Sequence, residues 1–410
     1  MRTAWRWSLL LFLLASGSGR AAPGSLLRDE TLRPEPGLEA VGAPLARGSA
    51  VDILERRGGW LRVATEGREG WVRVLSVRGE AAAQRDVLGE AKGVLTRAEP
   101  RVNARIVAIA GFRGGEDEDA AGRAALASLE SHRLGPGGAD AFARAAGLTR
   151  QDLNCAGRPS PDREPPRSLP QGITLSLMSA WSLDRLTPEH EARIGAYLAG
   201  RALIARRPVP DGALQDYVNH VGRWLADQGG TAGEPWLFAV LDDDGSQAYG
   251  LPGGHVFLTR GLYRRLHDEA ELAAVLAREI ARLRSHALLR ALRANPAPVS
   301  VAGRPRDESD FLARWLGDGS AALNRPLPAE EEFAADRDGV LLAAQAGYDA
   351  YALAGVLQTL GGLAGDVARA GPMHGAPAPE RRLARLDADL GECLAAARSG
   401  RVPNRYQRID

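Results

Sequence analysis

Short runs of alternating apolar and polar residues characterise the first part of the chain. Residues 51–54 (VDIL) and 60–63 (WLRV) alternate with a period of two, and Gly58 and Gly67 fall between or after such runs. Short strands with turns at intervals of about eight to twelve residues are typical of small β-barrels. We therefore predict an all-β barrel over residues 30–79.

Apolar residues recur at helical spacing from about residue 173 onward. The predicted helices cover residues 187–206, 211–225, 268–292, 328–346, 350–367 and 379–397. Two predicted strands, residues 236–241 and 256–259, lie between the second and third of these helices. The pattern therefore predicts a multidomain protein in which a small all-β barrel precedes an α-rich α+β domain.

These patterns divide the chain into five consecutive parts. They are a leader (1–21), the barrel (30–79), a helical segment with a linker (80–172), the α-rich domain (173–398) and a C-terminal tail (399–410). The linker is assigned to the stretch GRPSPDREPPRSLPQG, which contains five prolines and no periodic apolar face.

The leader has the composition of a secretory signal. Arg2 and Arg6 precede an apolar run over residues 7–15, and small residues follow as far as Ala21 and Ala22. We expect cleavage near Ala21 and an exported product, periplasmic or otherwise extracytoplasmic. The alternative is an uncleaved membrane anchor, but the apolar run is well short of the ~20 residues that span a bilayer.

Composition narrows the classes of function. The 410 residues carry a net charge of +1, which argues against nucleic acid as a partner, and the length allows two or three globular units. The two cysteines, Cys155 and Cys393, could pair in an oxidising compartment. The sequence alone leaves that pairing open, because it does not give the distance between their α-carbons.

The layout G-x-x-V, GGWLRV and GREGWV in residues 30–79 resembles the bacterial SH3-like domain. The resemblance implies a module that docks on cell-wall peptide or on another protein, with Trp60 and Trp71 at its surface. The alternative is that both tryptophans are core residues of a very small barrel.

Four motifs in the α-rich domain carry a second resemblance. They read SQAYGLPGGHVFLTRG, AREIARL, EEEFAADRDG and HGAPAPERR, in that order. Over some 210 residues the chain resembles the zinc endopeptidases of metallopeptidase family forty-eight, which includes the CAAX prenyl, HtpX-like and Oma-type peptidases. The resemblance implies a zincin-like fold, a zinc ion and cleavage of peptide bonds.

The helix that holds zinc in that family is altered here. The family motif is HEIxH, whose two histidines lie four residues apart on one helix face and can share one zinc ion. This chain has Arg278, Glu279 and Arg282 at the corresponding positions. Carrying the family roles over gives Glu279 as the general base, Glu332 as the third zinc ligand and Asp336 as a supporting carboxylate. A guanidinium has no acceptor atom and stays protonated, so neither arginine can bind zinc.

The two arginines carry the same formal charge as the zinc ion. We hypothesise that they bind the neighbouring carboxylates and replace the metal as the link between two helices. The alternative is that both side chains extend into an open cleft and bind nothing.

Two further histidines are expected beside the metal position, in the cleft or at the surface, and the alternative is that they replace the lost ligands. His286 follows Arg282 by four residues, and His374 resembles the histidine of the family's HPxxxxR element, although the gap to Arg381 or Arg382 is longer than usual. Glu332 with these two histidines is the alternative metal site that the sequence allows.

The motif SQAYGLPGGH matches a family signature beside the cleft. We expect Pro252, Gly253 and Gly254 to form a turn. The following strand could pair with an extended peptide, so the cleft could bind chains without cutting them. We expect His255 to be an exposed strand residue.

Three functions follow from these features. The first is an exported pseudopeptidase that acts as a binding or regulatory module of the cell envelope and needs no cofactor. The second is an active zinc endopeptidase of periplasmic protein quality control with non-standard ligands. The third is a cell-wall-binding protein in which the SH3-like barrel dominates. The expected partner is an extended or unfolded peptide, an envelope protein or a cell-wall peptide, with membrane contact only through the leader.

Overall fold

The computed structural model describes residues 22–37, 40–57, 59–79, 116–153, 155, 188–231, 233–294, 326–361, 376–395 and 405–409, with single positions 312, 316 and 322. The predicted leader, the proline-rich linker and His374 lie outside these residues. Among the residues that it covers, no helix is both long enough and apolar enough to cross a bilayer.

The N-terminal region is rich in strands, and its first strand begins at Ala22, ahead of the predicted boundary at residue 30. The strands are β1 (Ala22–Leu26), β2 (Glu30–Leu32), β3 (Ala43–Leu45), β4 (Ala50–Arg57), β5 (Trp60–Thr65), β6 (Arg68–Arg73) and β7 (Val77–Gly79). Five of them form an antiparallel sheet in the order β6-β5-β4-β1-β7, and β2 pairs with β3. A short 3-10 helix, Val74–Ser76, precedes β7.

The alternation that predicted these strands also explains their packing. Along β5 buried and half-buried residues alternate, so that Leu61 and Val63 face the core. Trp71 is buried, and Trp60 is half-buried beneath the guanidinium of Arg33, whose central carbon lies 5.3 Å from the ring centroid. Trp71 is therefore a core residue, and only Trp60 reaches the surface.

The rest of the described chain is mainly helical. The helices are α1 (Glu116–Glu130), α2 (Asp140–Ala145), α3 (Pro188–Ala205), α4 (Gly212–Gln228), α5 (Arg260–Arg265), α6 (Glu269–Arg284), α7 (Ala287–Ala294), α8 (Ala329–Gln345), α9 (Ala352–Gly361) and α10 (Pro379–Ala395). As predicted, Asp211 caps α4, where its side chain accepts a hydrogen bond from the Leu214 backbone.

A three-stranded sheet lies between two layers of helices. Its strands are β8 (Leu237–Leu241), β9 (Ala248–Leu251) and β10 (His255–Thr259), in the order β8-β10-β9, with β10 parallel to β8 and antiparallel to β9. One face, with Phe238 and Leu258, belongs to the main core with α4 and α6, and the other, with Phe257, packs with α1 and α3. Both faces are covered, so every residue of β8 and β10 is buried.

The prediction of one helix over residues 268–292 is wrong. The chain forms α6 and α7 with a break at Ser285 and His286, and His286 adopts a positive φ of 50°. The His286 ring lies with Nδ1 3.0 Å from Oε1 of Glu191 on α3. This contact between His286 and α3 accompanies the break between α6 and α7. The apolar pattern of residues 268–292 could not predict it, because Glu191 is distant in sequence.

The strand-rich region packs on α9 and α10. The Gln358 amide donates to the backbone oxygens of Val74 and Val77, at 2.7 and 2.8 Å, and Arg28 is bonded to Asp387. The apolar core is continuous across this contact. A disulfide joins Cys155 to Cys393 on α10, with α-carbons 5.3 Å apart, which settles the pairing that the sequence left open.

Candidate functional site

Three helices bring the predicted site residues together. Helix α6 begins at Glu269, because the Asp268 side chain accepts a hydrogen bond from the Glu271 backbone N–H. Its residues from Glu269 to Ala281 are all buried in the core. Helix α8 packs directly on it at Gly339, where a β-carbon would lie 2.6 Å from the α-carbon of Arg278. Only glycine permits this approach, which places the carboxylates of α8 beside the arginines of α6.

Arg278 binds all three of the carboxylates that the sequence singled out. Its Nε donates to Oδ1 of Asp336 at 2.7 Å and its Nη1 donates to Oε1 of Glu279 at 2.6 Å, while Nη2 bonds Glu332. The residue is only 9% exposed. The hypothesis of guanidinium–carboxylate bonds between the two helices therefore agrees with the geometry, whereas the alternative of arginines extending into solvent does not.

Arg282 closes the outer side of the same cluster. Its Nη1 donates to Oε2 of Glu279 at 3.0 Å, and its Nη2 lies 3.8 Å from Oε1 of Glu332. About a fifth of its side chain remains exposed. Both oxygens of Glu279 thus accept from a guanidinium, one from each arginine.

A third arginine completes the cluster. The sequence left Arg381 and Arg382 open, and the structure places Arg382 of α10 on Asp336, with Nε to Oδ2 and Nη2 to Oδ1 both at 2.6 Å. Arg382 is 2% exposed, whereas Arg381 is exposed. Helical spacing could have predicted that Arg382, rather than Arg381, lies on the buried face of α10, because position 382 precedes the buried Leu386 and Leu390 by four and eight residues.

The positive and negative charges of the cluster are equal in number, which offsets the free-energy cost of burying them. The cluster contains three guanidinium groups and three carboxylates, namely Arg278, Arg282, Arg382, Glu279, Glu332 and Asp336. Burial alone raises the pKa of Glu332, but attraction to the three arginines outweighs it and holds that pKa below its ordinary value. The pKa of Asp336 is lowered against burial by Arg382 and Arg278, and the pKa of Arg278 is raised against burial by its three carboxylates.

These residues do not fit a zinc ion. The carboxylates of Glu279, Glu332 and Asp336 already accept hydrogen bonds from guanidinium groups, and arginine offers no lone pair to a metal. In the part of the chain that the structure covers, no group of three or more His, Cys, Asp or Glu side chains has the arrangement of a metal site.

His286 does not supply a replacement metal ligand. His286 faces Glu191 rather than Glu332, and the cavity that it lines with Arg282, Pro252 and Leu289 has a volume of only about 10 Å³. A cavity of that size holds at most a single water molecule. His374 falls outside the described residues, so its part in the alternative site with Glu332 and His286 stays a prediction.

The turn before β10 forms as expected. Gly253 and Gly254 have φ values of 75° and 82°, in the region that favours glycine, and Pro252 precedes them. The expectation for His255 is wrong, because the residue is 5% exposed and its Nδ1 lies 3.1 Å from the Pro252 oxygen. Burial lowers its pKa to about 4, so the ring is neutral at pH 7.

Strand β9 brings a sheet edge to the cluster. Among the described strands it pairs only with β10, and a β-carbon on Gly250 would lie 3.1 Å from a carboxylate oxygen of Glu279. The site therefore places the glutamate of α6 beside a sheet edge, with arginines around that glutamate.

Comparison with known proteins finds similarity to one family of peptidases. Residues 213–389 match the model described as Peptidase family M48. A putative beta-barrel assembly-enhancing protease of Vibrio cholerae is 30% identical over 183 residues, which are 41% of this chain and 37% of that protein. The beta-barrel assembly-enhancing protease of Escherichia coli is 26% identical over 199 residues, 46% of this chain and 41% of that protein.

A mitochondrial relative gives the same result. The bovine mitochondrial metalloendopeptidase OMA1 is 29% identical over 152 residues, 33% of this chain and 28% of that protein. The chain thus spans less than half the length of each of these relatives. The helical part of this chain is therefore similar to Peptidase family M48 and to these proteases.

Proposed function

We propose that the M48-like domain of this chain is a pseudopeptidase that serves as a binding or regulatory module in the cell envelope. The observation that carries the proposal is the set of bonds from Arg278 to Glu279, Glu332 and Asp336. Arg278 and Arg282 supply two positive charges among these carboxylates, the same charge that a zinc ion would supply.

Peptide hydrolysis requires an activated water and a group that stabilises the tetrahedral intermediate. Zinc lowers the pKa of bound water from about 15.7 to about 7 and polarises the carbonyl, whereas a guanidinium does not act as a Lewis acid. Glu279 would act as a general base only on a water that a metal activates, and its surroundings offer two guanidinium groups in place of metal ligands. The residues of this site are therefore suited to holding α6, α8 and α10 together rather than to catalysis.

Two features support an extracytoplasmic location for this function. The leader has the composition of a secretory signal, and a disulfide persists in oxidising compartments. For the binding role, the edge of β9 that pairs with no described strand would offer backbone groups to an extended peptide. If the strand-rich region is an SH3-like domain, it adds a second docking surface. Trp60 is accessible there, whereas Trp71 is buried.

Metal content tests the proposal directly. We would measure zinc per chain, after dialysis against micromolar zinc, in the untagged mature protein and in the double variants R278H/R282H and R278Q/R282Q. We expect no stoichiometric zinc in the wild type or in the glutamine variant, which removes both charges without adding ligands. The histidine variant should bind close to one zinc per chain, because histidines at these positions can share a metal.

A casein cleavage assay on the same three proteins gives a second readout. Stoichiometric zinc and cleavage in the wild type would overturn the proposal and favour the active zinc endopeptidase. Zinc binding by the histidine variant alone would show that the peptidase scaffold persists and that only its ligands have been replaced.

A further inference from the structure

The last described residues of the chain, 405–409, occupy a pocket built from elements far away in sequence. The Arg405 guanidinium donates to both carboxylate oxygens of Glu269, through Nε and Nη2 at 2.6 Å each. Its Nη1 donates to the Phe142 backbone oxygen at 2.6 Å, and its central carbon lies 3.6 Å from the centroid of the Phe142 ring. This side chain therefore uses a bidentate ion pair, a backbone bond and a cation–π contact together.

The next residue binds through its ring. Tyr406 stacks on Tyr263 with centroids 4.9 Å apart, and its hydroxyl donates to the Tyr263 backbone oxygen at 2.6 Å. The Tyr263 hydroxyl in turn donates to the backbone oxygen of Gln407 at 2.7 Å. The polar side-chain contacts of the described tail are thus made by two consecutive residues, Arg405 and Tyr406, while Ile409 adds an apolar contact with the core.

The pocket does not depend on the tail for its polar groups. Glu269, the first residue of α6, is 2% exposed and accepts hydrogen bonds from the hydroxyls of Tyr217 and Tyr348, both at 3.0 Å. Each of its oxygens keeps one tyrosine donor when Arg405 leaves. The carboxylate and the aromatic rings that line the pocket therefore come from α2, α4, α5, α6 and the segment after α8. They are already arranged to bind a guanidinium group.

We propose that this pocket is a peptide-recognition site for an arginine followed by an aromatic residue, and that the C-terminal tail is its ligand in cis. The fork of a guanidinium matches the Glu269 carboxylate and the Phe142 carbonyl at the same time, whereas a lysine ammonium cannot make the parallel pair. This site is separate from the arginine cluster and does not rest on the loss of peptidase activity.

Covalent attachment should make the tail a strong competitor. A tethered ligand acts at an effective concentration on the order of millimolar, so a free peptide binds the intact chain weakly. Removing the two anchoring side chains from the tail should leave the pocket open to a peptide supplied in trans.

The test uses the full chain and a fluorescent peptide RYQRID, which corresponds to residues 405–410. We expect the peptide to bind the R405A/Y406A chain at least roughly 10-fold more tightly than the wild type. The matched control, R408A, changes an exposed tail arginine and should behave like the wild type. Peptides that begin with Ala or Lys in place of Arg should bind the R405A/Y406A chain at least roughly 10-fold more weakly than the peptide RYQRID does.

The pocket side is tested by adding E269Q to the R405A/Y406A chain. Loss of peptide binding with a wild-type circular dichroism spectrum supports the proposal. Equal binding with and without E269Q, or no binding to a folded R405A/Y406A chain, would overturn it.

If the R405A/Y406A chain does not fold, a nicked protein replaces it. A protease site inserted within residues 399–404 lets the wild-type tail dock during folding and be cut afterwards. Excess labelled peptide should then displace the cut tail, which mass spectrometry detects in the released fraction. A cut tail that is never exchanged would show a permanent structural element and contradict a recognition site.

Discussion

At the scale of single residues, Arg278 shows how a buried charge is retained. Removing a guanidinium from water is costly, and the cost is offset only by well-placed partners. Arg278 has three, on two helices, and the carboxylate of Asp336 is shared with Arg382. The cluster is therefore balanced only while every member is present.

Truncating Arg278 should upset that balance. Arg278→Ala leaves the buried Glu332 and Asp336 with fewer positive partners, and we expect a loss of about 3–5 kcal/mol in the free energy of unfolding. Urea titration followed by circular dichroism measures it. Arg264→Ala is the control, because Arg264 is exposed and its closest carboxylate is 3.9 Å away, and it should change stability by less than about 0.5 kcal/mol. Equal effects of the two substitutions would refute a stabilising cluster.

At the scale of elements, Glu30 joins three parts of the strand-rich region. This residue of β2 is 5% exposed and accepts hydrogen bonds from Ser76 of the 3-10 helix and from Arg73 of β6, the latter at 2.8 Å. Burial raises the pKa of Glu30, but the hydrogen bonds that its carboxylate accepts from Ser76, Arg73 and the Thr31 backbone outweigh burial and hold the pKa at about 2. The ionised carboxylate therefore fixes the arrangement of these elements.

This depressed pKa predicts an acid-sensitive contribution to stability. The contribution is fully present above the ordinary pKa of 4.5 and is lost as the pH falls through the folded-state value of about 2. We expect the difference in free energy of unfolding between wild type and Glu30→Gln to shrink by up to about 3 kcal/mol between pH 7 and pH 2. Urea titrations at several pH values measure it, with the exposed Glu66→Gln as control. A difference that stays constant with pH would contradict this role.

At the scale of the whole molecule, the disulfide and the shared core make the described chain one packed unit. Cys155 and Cys393 are 238 residues apart in sequence, and the apolar core runs without interruption from the strand-rich region into the helical region. The strand-rich region thus contributes to the stability of α9 and of α10, the helix that carries Arg382 of the cluster.

Opening the disulfide should lower stability without changing the fold. A crosslink that closes a long loop restricts the unfolded chain, and its loss typically costs about 2–5 kcal/mol. We expect Cys393→Ser to lower the unfolding midpoint in urea, and a reducing agent to lower the wild-type midpoint to the same value. A reducing agent that also shifts the midpoint of Cys393→Ser would point to an effect other than this bond.

Several features could be predicted because they depend on local pattern or on residue chemistry. Alternation located the strands around Leu61 and Val63, and helical spacing with the Asp211 cap located α4. The chemistry of arginine showed that Arg278 and Arg282 cannot bind zinc and would seek carboxylates. These conclusions needed no knowledge of which segments meet in space.

The remaining features were decided by tertiary structure, because they depend on contacts between segments distant in sequence. His286 breaks a helix where it meets Glu191, and His255 is buried because both faces of its sheet are covered. The choice of Arg382 over Arg381 followed from how α10 packs on Asp336, and the docking of Arg405 on Glu269 from a pocket assembled from five separate elements. The sequence by itself determined which chemical groups this site contains, and the packing of distant segments decided which partner each group has.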